Sequence, residues 1–340
     1  MPRKTRMNSI TSPELLTKVN FENKQLLNDF IDYLRSTQKS EGTISNYKND
    51  IEIAWVWCLQ NNNNQFFVNW TKRNIIAYQN WMLANGNSPA RIRRLKASLS
   101  SLSNYIENLL DDEFPNFRNI INKVESPVNQ PVRTKTILSE EQVDNLLEEL
   151  TAHKKYDKAC ALALALCSGR RKAELVRFRL SDFDEKHLVC EGALYKSDPI
   201  KTKGRGINGK QLECFCLAKK FDPYLKNWID YRNEHGISSE WLFPAKDDPN
   251  KHLELSTLNS WAITFGRMLK VDFYWHAMRH ATVTKFKRAG IPDTVIQQYI
   301  GWSDIAMVPV YVDMDADEQL GMYFNADGIV TPAQKSINEL

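Results

Sequence analysis

The sequence predicts a mainly α-helical protein of two domains, with a small β-sheet in the C-terminal domain. Its 340 residues, 42% of them hydrophobic, can form two cores of ordinary size. Apolar residues recur at helical spacing in both halves, and a polar stretch with three prolines separates them. We therefore expect a flexible tail at 1–19, a helical domain at 20–114, a linker at 115–138, a second domain at 139–325 and a tail at 326–340.

Composition excludes several classes of protein. No segment approaches the ~20 apolar residues of a membrane-spanning helix, and the polar start "MPRKTRMNSITSPELL" lacks the apolar core of a secretory signal. We expect a cytoplasmic protein with no membrane partner. The six cysteines form no CxxC pair, which favours reduced thiols over a thiolate zinc site. A net charge of +4 is too small to establish nucleic-acid binding by itself.

Four amphipathic helices are expected in the first domain. The segment "RNIIAYQNWML" predicts the third helix, and the fourth starts at the cap-and-proline pair Ser88 and Pro89. The first, second and fourth helices each have an apolar stripe. In this order, the stripes are Phe21, Leu26, Leu27, Phe30 and Leu34; Ile44, Tyr47, Ile51, Trp55 and Cys58; and Ile92, Leu95, Leu99, Leu102, Ile106 and Leu109. These stripes predict the core of a small bundle.

Basic residues cluster in two stretches that contain no acid. Residues 86–106 carry Arg91, Arg93, Arg94 and Lys96, and "PIKTKGRGINGKQL" carries Lys201, Lys203, Arg205 and Lys210. One such run could be an ordinary solvated surface. Two runs in one chain favour a polyanionic partner, and we expect the first run on the helix face opposite the apolar stripe.

The second domain is predicted to begin at Ser139, which can cap the helix "LSEEQVDNLLEEL". The apolar helix "ACALALALCS" follows. Two strand-like segments, "HLVCEGALY" and "QLECFCLA", then flank the second basic stretch, which predicts a basic hairpin. Helices dominate again from Tyr224 onward.

The stretch "YWHAMRHATVTK" places His276 and His280 four residues apart, a spacing at which a helix can offer two imidazoles to zinc. Alternatively, His276 and Arg279 converge on one anionic group such as phosphate. The zinc alternative lacks the glutamate of H-E-x-x-H, since Ala277 follows His276. We favour the phosphate interpretation and expect His280 to pack or make a hydrogen bond.

Polar residues occur in a fixed order in the second domain: Arg171 in "SGRRKAEL", a lysine of the basic hairpin, "HAMRH", and then Trp302 and Tyr311 in "GWSDIAMVPVY". This ordered set resembles the tyrosine recombinases, the phage integrase family. That family has an arginine in a G-x-R-x-x-E-L turn, a lysine on a β-hairpin, H-x-x-R, and a His or Trp nine residues before a nucleophilic tyrosine. The corresponding residues here are Arg171, Lys201, His276, Arg279, Trp302 and Tyr311. The resemblance spans 139–325, and "SEGTISNYKNDI" in its four-helix setting resembles the family's N-terminal core-binding domain.

The resemblance implies site-specific DNA recombination through a 3′-phosphotyrosyl intermediate. Tyr311 would attack the scissile phosphate, with His276 as base or proton carrier. Lys201 would protonate the departing 5′ oxygen. Lys196 and Lys203 are alternatives for that lysine, because an error in hairpin register would exchange them.

Charge stabilisation would come from Arg171 and Arg279, which can bind the phosphoryl oxygens with charge-assisted hydrogen bonds. Trp302 would add a neutral donor. We expect no metal and no cofactor, because two guanidiniums replace the charge that magnesium supplies elsewhere. Each residue also has an ordinary alternative, such as pairing of Arg171 with Glu174.

Double-stranded DNA with specific recombination sites is the implied partner. The predicted DNA contacts are Lys48, Arg91, Arg93, Arg94, Lys96, Lys203 and Arg205. The segment after Tyr311, with apolar Leu320, Tyr323 and Phe324, would dock on a neighbouring copy and give a homo-tetramer on paired sites. A disordered tail is the alternative. Accessory DNA-bending proteins are further candidate partners, and DNA-bound protein would associate with the nucleoid.

Two other functions stay open from sequence. A type IB topoisomerase would share the phosphotyrosine chemistry without pairing sites, and a DNA-binding regulator could retain the fold with a silent site. Tyr299 and Tyr323 are alternative nucleophiles.

Overall fold

The computed structural model describes residues 10–128, 136–202, 209–325 and 328–329. They form two compact units, one built from the described residues up to 128 and the other from those after 135. Helices dominate both units, and the short strands lie in the second. The mainly helical, two-domain architecture predicted from the sequence is therefore confirmed.

Within its described residues the first unit has five α-helices: α1 (Pro13–Lys18), α2 (Phe21–Ser36), α3 (Glu41–Asn61), α4 (Lys72–Ala84) and α5 (Pro89–Leu109). Helices α2 to α5 are the four predicted ones, and Ser88 caps α5 by accepting from the Arg91 N–H at 3.2 Å. Helix α1 lies within the stretch predicted to be a flexible tail. Ser12 and Pro13 start it, and Leu15 and Leu16 pack against the core.

The first core extends past the boundary that the sequence places at residue 114. A 3-10 turn at Ile121–Lys123 follows α5, and Ile121 is fully buried with Phe117, Ile120 and Val124 packed around it. Their spacing of i, i+3, i+4 and i+7 is that of a helix face, yet beyond this short turn the segment is irregular and covers the bundle. The first part of the predicted linker therefore belongs to this unit.

Nine helices of the second unit lie within the described residues: α6 (Glu140–Ala152), α7 (Tyr156–Ser168), α8 (Lys172–Leu175), α9 (Ala218–Glu234), α10 (Leu255–Leu269), α11 (His276–Arg288), α12 (Asp293–Ile300), α13 (Met307–Tyr311) and α14 (Ala316–Gly321). Ser139 caps α6 reciprocally with Gln142, as expected. Helix α7 is apolar on every side because it is central, packed by α6, α9 and α11.

The described strands are β1 (Leu188–Val189), β2 (Leu194–Lys196), β3 (Ile200–Thr202), β4 (Lys210–Leu212), β5 (Phe215–Leu217), β6 (Phe324–Asn325) and β7 (Gly328–Ile329). Antiparallel β1, β2 and β5 form one sheet, while β3 and β4 form the predicted basic hairpin with Lys201 opposite Gln211. Lys203 and Arg205, which come between these two strands in the sequence, lie outside the described residues.

None of the helices in the described ranges has the length and hydropathy required to cross a bilayer.

Candidate active site

Tyr311 and His276 meet at the centre of the site. Tyr311 ends α13 and His276 begins α11, and the tyrosine hydroxyl oxygen lies 2.9 Å from Nε2 of the imidazole. Tyr311 is buried and His276 is exposed. When Nε2 carries no proton, the hydroxyl donates to it, which is the contact a general base requires.

Arg279, one turn after His276, lies beneath this pair and is fully buried. Its Nη1 donates to the carbonyl of Gly169 at 2.9 Å, whereas its Nε and Nη2 make no hydrogen bond to any described residue. Burial, and then the neighbouring Arg171 cation, lower the pKa of Arg279 to about 10, so the guanidinium stays charged at neutral pH. A buried cation with two unused donors is suited to an incoming anion.

The turn that holds Arg171 depends on a glycine. Helix α7 ends at Gly169 in the left-handed region, with φ +61°. A Cβ there would stand 2.5 Å from Cδ1 of Ile300 and 3.3 Å from Cγ2 of Thr282. Conformation and close packing therefore both select glycine at this position.

Arg171 follows the turn with its side chain 39% exposed. Its Nη1 lies 3.2 Å from Oε1 of Glu174, and the same buried carboxylate accepts from the Arg171 backbone N–H at 3.1 Å. The ordinary pairing considered from sequence is thus present. It is compatible with phosphate binding, because it orients the guanidinium while leaving other N–H donors.

Arg170 was missed by the sequence reasoning. It is buried, and its guanidinium donates to the carbonyls of Tyr299 at 2.8 Å and Ile300 at 3.3 Å, at the C-terminus of α12. It ties the Gly169 turn to the residues just before Trp302. The only sequence signal was the doublet of arginines after the glycine.

Trp302 packs between Arg279 and Tyr311. The Arg279 Cζ lies 4.8 Å from the Trp302 ring centroid, and the Trp302 and Tyr311 centroids are also 4.8 Å apart. The indole Nε1 is buried and has no hydrogen-bond partner among the described residues. It is therefore a donor available to a ligand.

Lys201 lies on β3 with an exposed side chain. Strand β3 packs against α8, the helix after Arg171, and Arg177 donates to the Lys201 carbonyl. The alternative Lys196 has its ammonium 2.8 Å from Glu213. The hairpin thus borders the arginine turn, as the family resemblance implies.

Of the other tyrosines considered, Tyr299 is buried and donates its hydroxyl to the carbonyl of Cys167. Burial raises its pKa well above the ordinary value, which disfavours the phenolate. Tyr323 is 41% exposed and lies after α14. The described geometry therefore favours Tyr311 as the nucleophile.

Arg91 and Arg94, expected to contact DNA, converge on Asp50 of α3. This buried carboxylate receives Arg91 Nη1 at 2.9 Å, Arg94 Nε at 3.1 Å and the Ser98 hydroxyl at 3.0 Å. Arg94 keeps half of its side chain exposed, compared with 26% for Arg91. Both arginines thus anchor α5 to α3, whatever else they contact.

Lys96 differs from the expectation that it lies on the exposed face of α5. It is 3% exposed, and its ammonium donates to the Val124 carbonyl at 2.7 Å and to Gln79 Oε1 at 3.0 Å. The segment after α5 covers it, and this burial lowers its pKa. Arg93 is exposed and donates to the carbonyl of Pro127, while exposed Lys48 lies 3.8 Å from Glu52.

Among the described residues, one cluster has metal-ligand geometry: Asp182, His187 and Asp198. His276 and His280 are not part of it. Their rings are instead in contact with the Tyr311 ring.

The fold and site define a mainly helical protein of two units with a cluster of Tyr311, His276 and Arg279, and comparison with known proteins assigns the family. The profile of the phage integrase family matches residues 136–318, and that of the phage integrase N-terminal SAM-like domain matches residues 26–116. The chain belongs to the phage integrase family. It is a tyrosine recombinase, an enzyme of site-specific DNA recombination that cleaves and rejoins DNA through a tyrosine intermediate.

Individual relatives agree with this assignment. The SPbeta prophage-derived recombinase-like protein YomM of Bacillus subtilis (strain 168) is 28% identical over 67% of this chain and 67% of its own length. A tyrosine recombinase of Thermosipho africanus (strain TCF52B) is 25% identical over 85% of this chain and 95% of its own. A lambda integrase dimer bound to a COC′ core site matches the fold with a TM-score of 0.63 at 14% identity, over 85% of this chain and 95% of that one.

Proposed function

We propose that this recombinase cleaves DNA by attack of the Tyr311 hydroxyl on a scissile phosphate, which forms a 3′-phosphotyrosyl link. The observation that carries the proposal is the 2.9 Å contact between Tyr311 and His276 Nε2, above the buried Arg279. A phenol of pKa ~10 is a poor nucleophile while protonated. His276 is placed to take that proton as the new bond forms.

The charge that develops on the phosphoryl oxygens is assigned to two guanidiniums. Arg279 has two unused N–H donors, and Arg171 is partly exposed next to it. The Trp302 indole adds a neutral donor. On this proposal, preorganised donors supply the stabilisation, and neither metal nor cofactor enters the step.

Protonation of the departing 5′ oxygen is assigned to Lys201. Its strand lies beside the helix that follows Arg171, so an extended side chain from β3 can reach the leaving group. The alternative Lys196 lies on β2, the strand before β3, and its ammonium is paired with Glu213 at 2.8 Å. The assignment predicts that loss of the lysine slows cleavage most for a poor leaving group.

Binding of the duplex by the first unit is assigned to its exposed cations. The candidates among the described residues are Arg93, Lys48 and the half-exposed Arg94. Lys96 is buried and is no longer proposed as a DNA contact. Phosphate contacts by such groups give affinity that falls with salt, with a log–log slope of about −0.9 per contact. Lys203 and Arg205 stay candidates on the hairpin.

Assembly on paired sites is assigned to the C-terminal segment. Leu320, Phe324 and Ile329 are 55%, 51% and 83% exposed, which supports their burial on another surface. We infer that this surface belongs to a second copy and that four copies assemble on two DNA sites. Accessory DNA-bending proteins remain candidate partners.

The test is covalent capture of DNA. The protein is incubated, with EDTA, with a pool of nicked duplexes that share a randomised central segment, and adducts that survive denaturant are isolated and sequenced. We expect an adduct in the parent and in Tyr323→Phe, and none in Tyr311→Phe. An adduct that persists in Tyr311→Phe would refute the nucleophile assignment. Binding of duplexes without any adduct would favour a silent site.

A further inference from the structure

We propose that His280 is a positioning residue for the nucleophile, a role that rests on the proposed function of Tyr311. His280 lies one turn after His276 on α11, at the second histidine of the HAMRH stretch. It was expected to pack or make a hydrogen bond. Its contacts are of both kinds, and they are directed at Tyr311 and at the residues that follow it.

His280 holds Tyr311 by two kinds of contact. The imidazole stacks on the phenol ring with centroids 4.5 Å apart and planes 26° from parallel. Its Nδ1 lies 3.3 Å from the Tyr311 carbonyl oxygen and 3.7 Å from Oδ2 of Asp313. Because a carbonyl only accepts, Nδ1 carries the hydrogen of that contact. The ring and the backbone of the nucleophile are thus fixed by one side chain.

Thr284, one turn further along α11, also contacts the segment around Tyr311. Its hydroxyl accepts from the Asp313 N–H at 2.8 Å and lies 3.3 Å from the Tyr311 carbonyl, to which it can donate. Three successive turns of α11 therefore contact the nucleophile segment. His276 contacts the hydroxyl, His280 the ring and carbonyl, and Thr284 the backbone.

Helix α13 needs this external support. It has five residues, with Pro309 at its centre, and a helix this short has little stability of its own. Tyr311 is its last residue, so the phenol direction is set mainly by what packs on it. Nucleophilic attack is sensitive to this direction, since a misplacement of about 1 Å can cost ~10²-fold in rate.

His280 is therefore expected to control the cleavage step rather than DNA binding. Its side chain is only 10% exposed, which leaves little surface for a duplex. His280→Phe preserves a stacked ring but removes the Nδ1 donor. His280→Asn removes the ring but retains an N–H donor close to the Nδ1 position.

The chain contains a matched control. His235 also stacks on a tyrosine, Tyr231, with centroids 3.9 Å apart, and its Nδ1 lies 2.9 Å from that tyrosine's carbonyl. This pair lies at the end of α9, and His235 is exposed. His235→Phe makes the same chemical change away from the nucleophile.

The experiment measures single-turnover adduct formation at saturating duplex, using a sequence recovered from the randomised pool, together with duplex affinity. We expect His280→Phe to slow adduct formation about tenfold or more at unchanged affinity. His280→Asn, which restores the donor but not the stacked ring, should recover part of that rate, and His235→Phe should match the parent.

Two results would overturn the proposal. One is a parent-like rate in His280→Phe, and the other is equal slowing in both His280 variants, which would show that restoring the Nδ1 donor does not restore the position of Tyr311. Peptide mapping of the parent adduct shows which tyrosine carries the DNA, so it tests the nucleophile assignment separately from the positioning role of His280. DNA on a tyrosine other than Tyr311 refutes both, whereas DNA on Tyr311 with a parent-like His280→Phe refutes only the positioning role.

Discussion

Arg279 and Gly169 are joined by a hydrogen bond of 2.9 Å from the guanidinium Nη1 to the glycine carbonyl. This bond connects α11 to the turn that precedes Arg171, across more than a hundred residues of sequence. Both arginines of the site are thus positioned by one piece of backbone. The geometry of that turn should then be as important to the enzyme as the charges themselves.

Replacement of Gly169 by alanine should therefore be costly. The left-handed conformation costs about 1 kcal/mol and crowding against Ile300 about 1–3 kcal/mol more, so the free energy of unfolding should fall by about 2–4 kcal/mol. Urea denaturation measures this loss. Gly192→Ala is the control, because Gly192 has φ +85° but nothing lies within 4 Å of the position that a Cβ would take, and it should lose only about 1 kcal/mol. Equal losses would contradict the packing argument.

Arg279→Lys should abolish most cleavage while leaving the charge in place. An ammonium cannot contact both Gly169 and an incoming phosphate in the planar geometry of a guanidinium. We expect adduct formation at saturating DNA to slow by about 10²–10³-fold, the cost typical of one lost transition-state donor. Arg267→Lys, an exposed change on α10, should retain the parent rate. A parent-like rate in Arg279→Lys would show that only the charge is required.

Much of this site could be predicted because its residues fall within short sequence spacings. His276 and Arg279 share one helix face, and the spacing of Trp302 and Tyr311 needs only the short turn between α12 and α13 to bring their rings together. The family motifs that pointed to these four residues are short, and the structure brings their side chains together. Their catalytic roles stay predictions until cleavage is measured.

The remaining features depend on contacts that sequence periodicity does not reveal. The buried guanidinium of Arg170 donates to carbonyls about 130 residues later in the chain, and His280 contacts the carbonyl of Tyr311, 31 residues away. Lys96 neighbours the apolar stripe of α5, but only the irregular segment at Val124 decides that it is covered. Burial of a charge is set by its partners, and these partners are distant backbone oxygens.

Substitutions of Lys96 and of Arg93 should have different effects on DNA binding. Arg93→Ala removes an exposed cation, so the log–log dependence of affinity on salt should become shallower by about 0.9. Lys96→Ala should leave that slope unchanged and lower the free energy of unfolding by about 1–3 kcal/mol, since the Val124 carbonyl loses its donor. Salt titrations of duplex binding and urea denaturation distinguish the two. A shallower salt dependence of affinity in Lys96→Ala would show that Lys96 does contact a DNA phosphate.

Stability should fall in alkaline solution because of buried thiols. Burial raises the pKa of Cys214 to about 11 and also raises the pKa values of Cys160 and Cys216, whereas an unfolded thiol ionises near pH ~8.5. Below that pH both states hold the proton and nothing is lost. Between the unfolded and folded pKa values the folded state binds more protons, so each thiol lowers the free energy of unfolding by about 1.4 kcal/mol per pH unit.

Reduced protein should therefore show a smaller free energy of unfolding at about pH 9.5 than at about pH 7.5, by roughly 1 kcal/mol or more for each of Cys160, Cys214 and Cys216. Urea denaturation at the two pH values gives the difference. Cys214→Ala should shrink it, because one group with a raised pKa is gone. Cys190→Ala should leave it unchanged, because Cys190 is exposed and its thiol reaches solvent in both states. An identical pH difference in Cys214→Ala and the parent would mean that the Cys214 thiol ionises as readily in the folded chain as in the unfolded one.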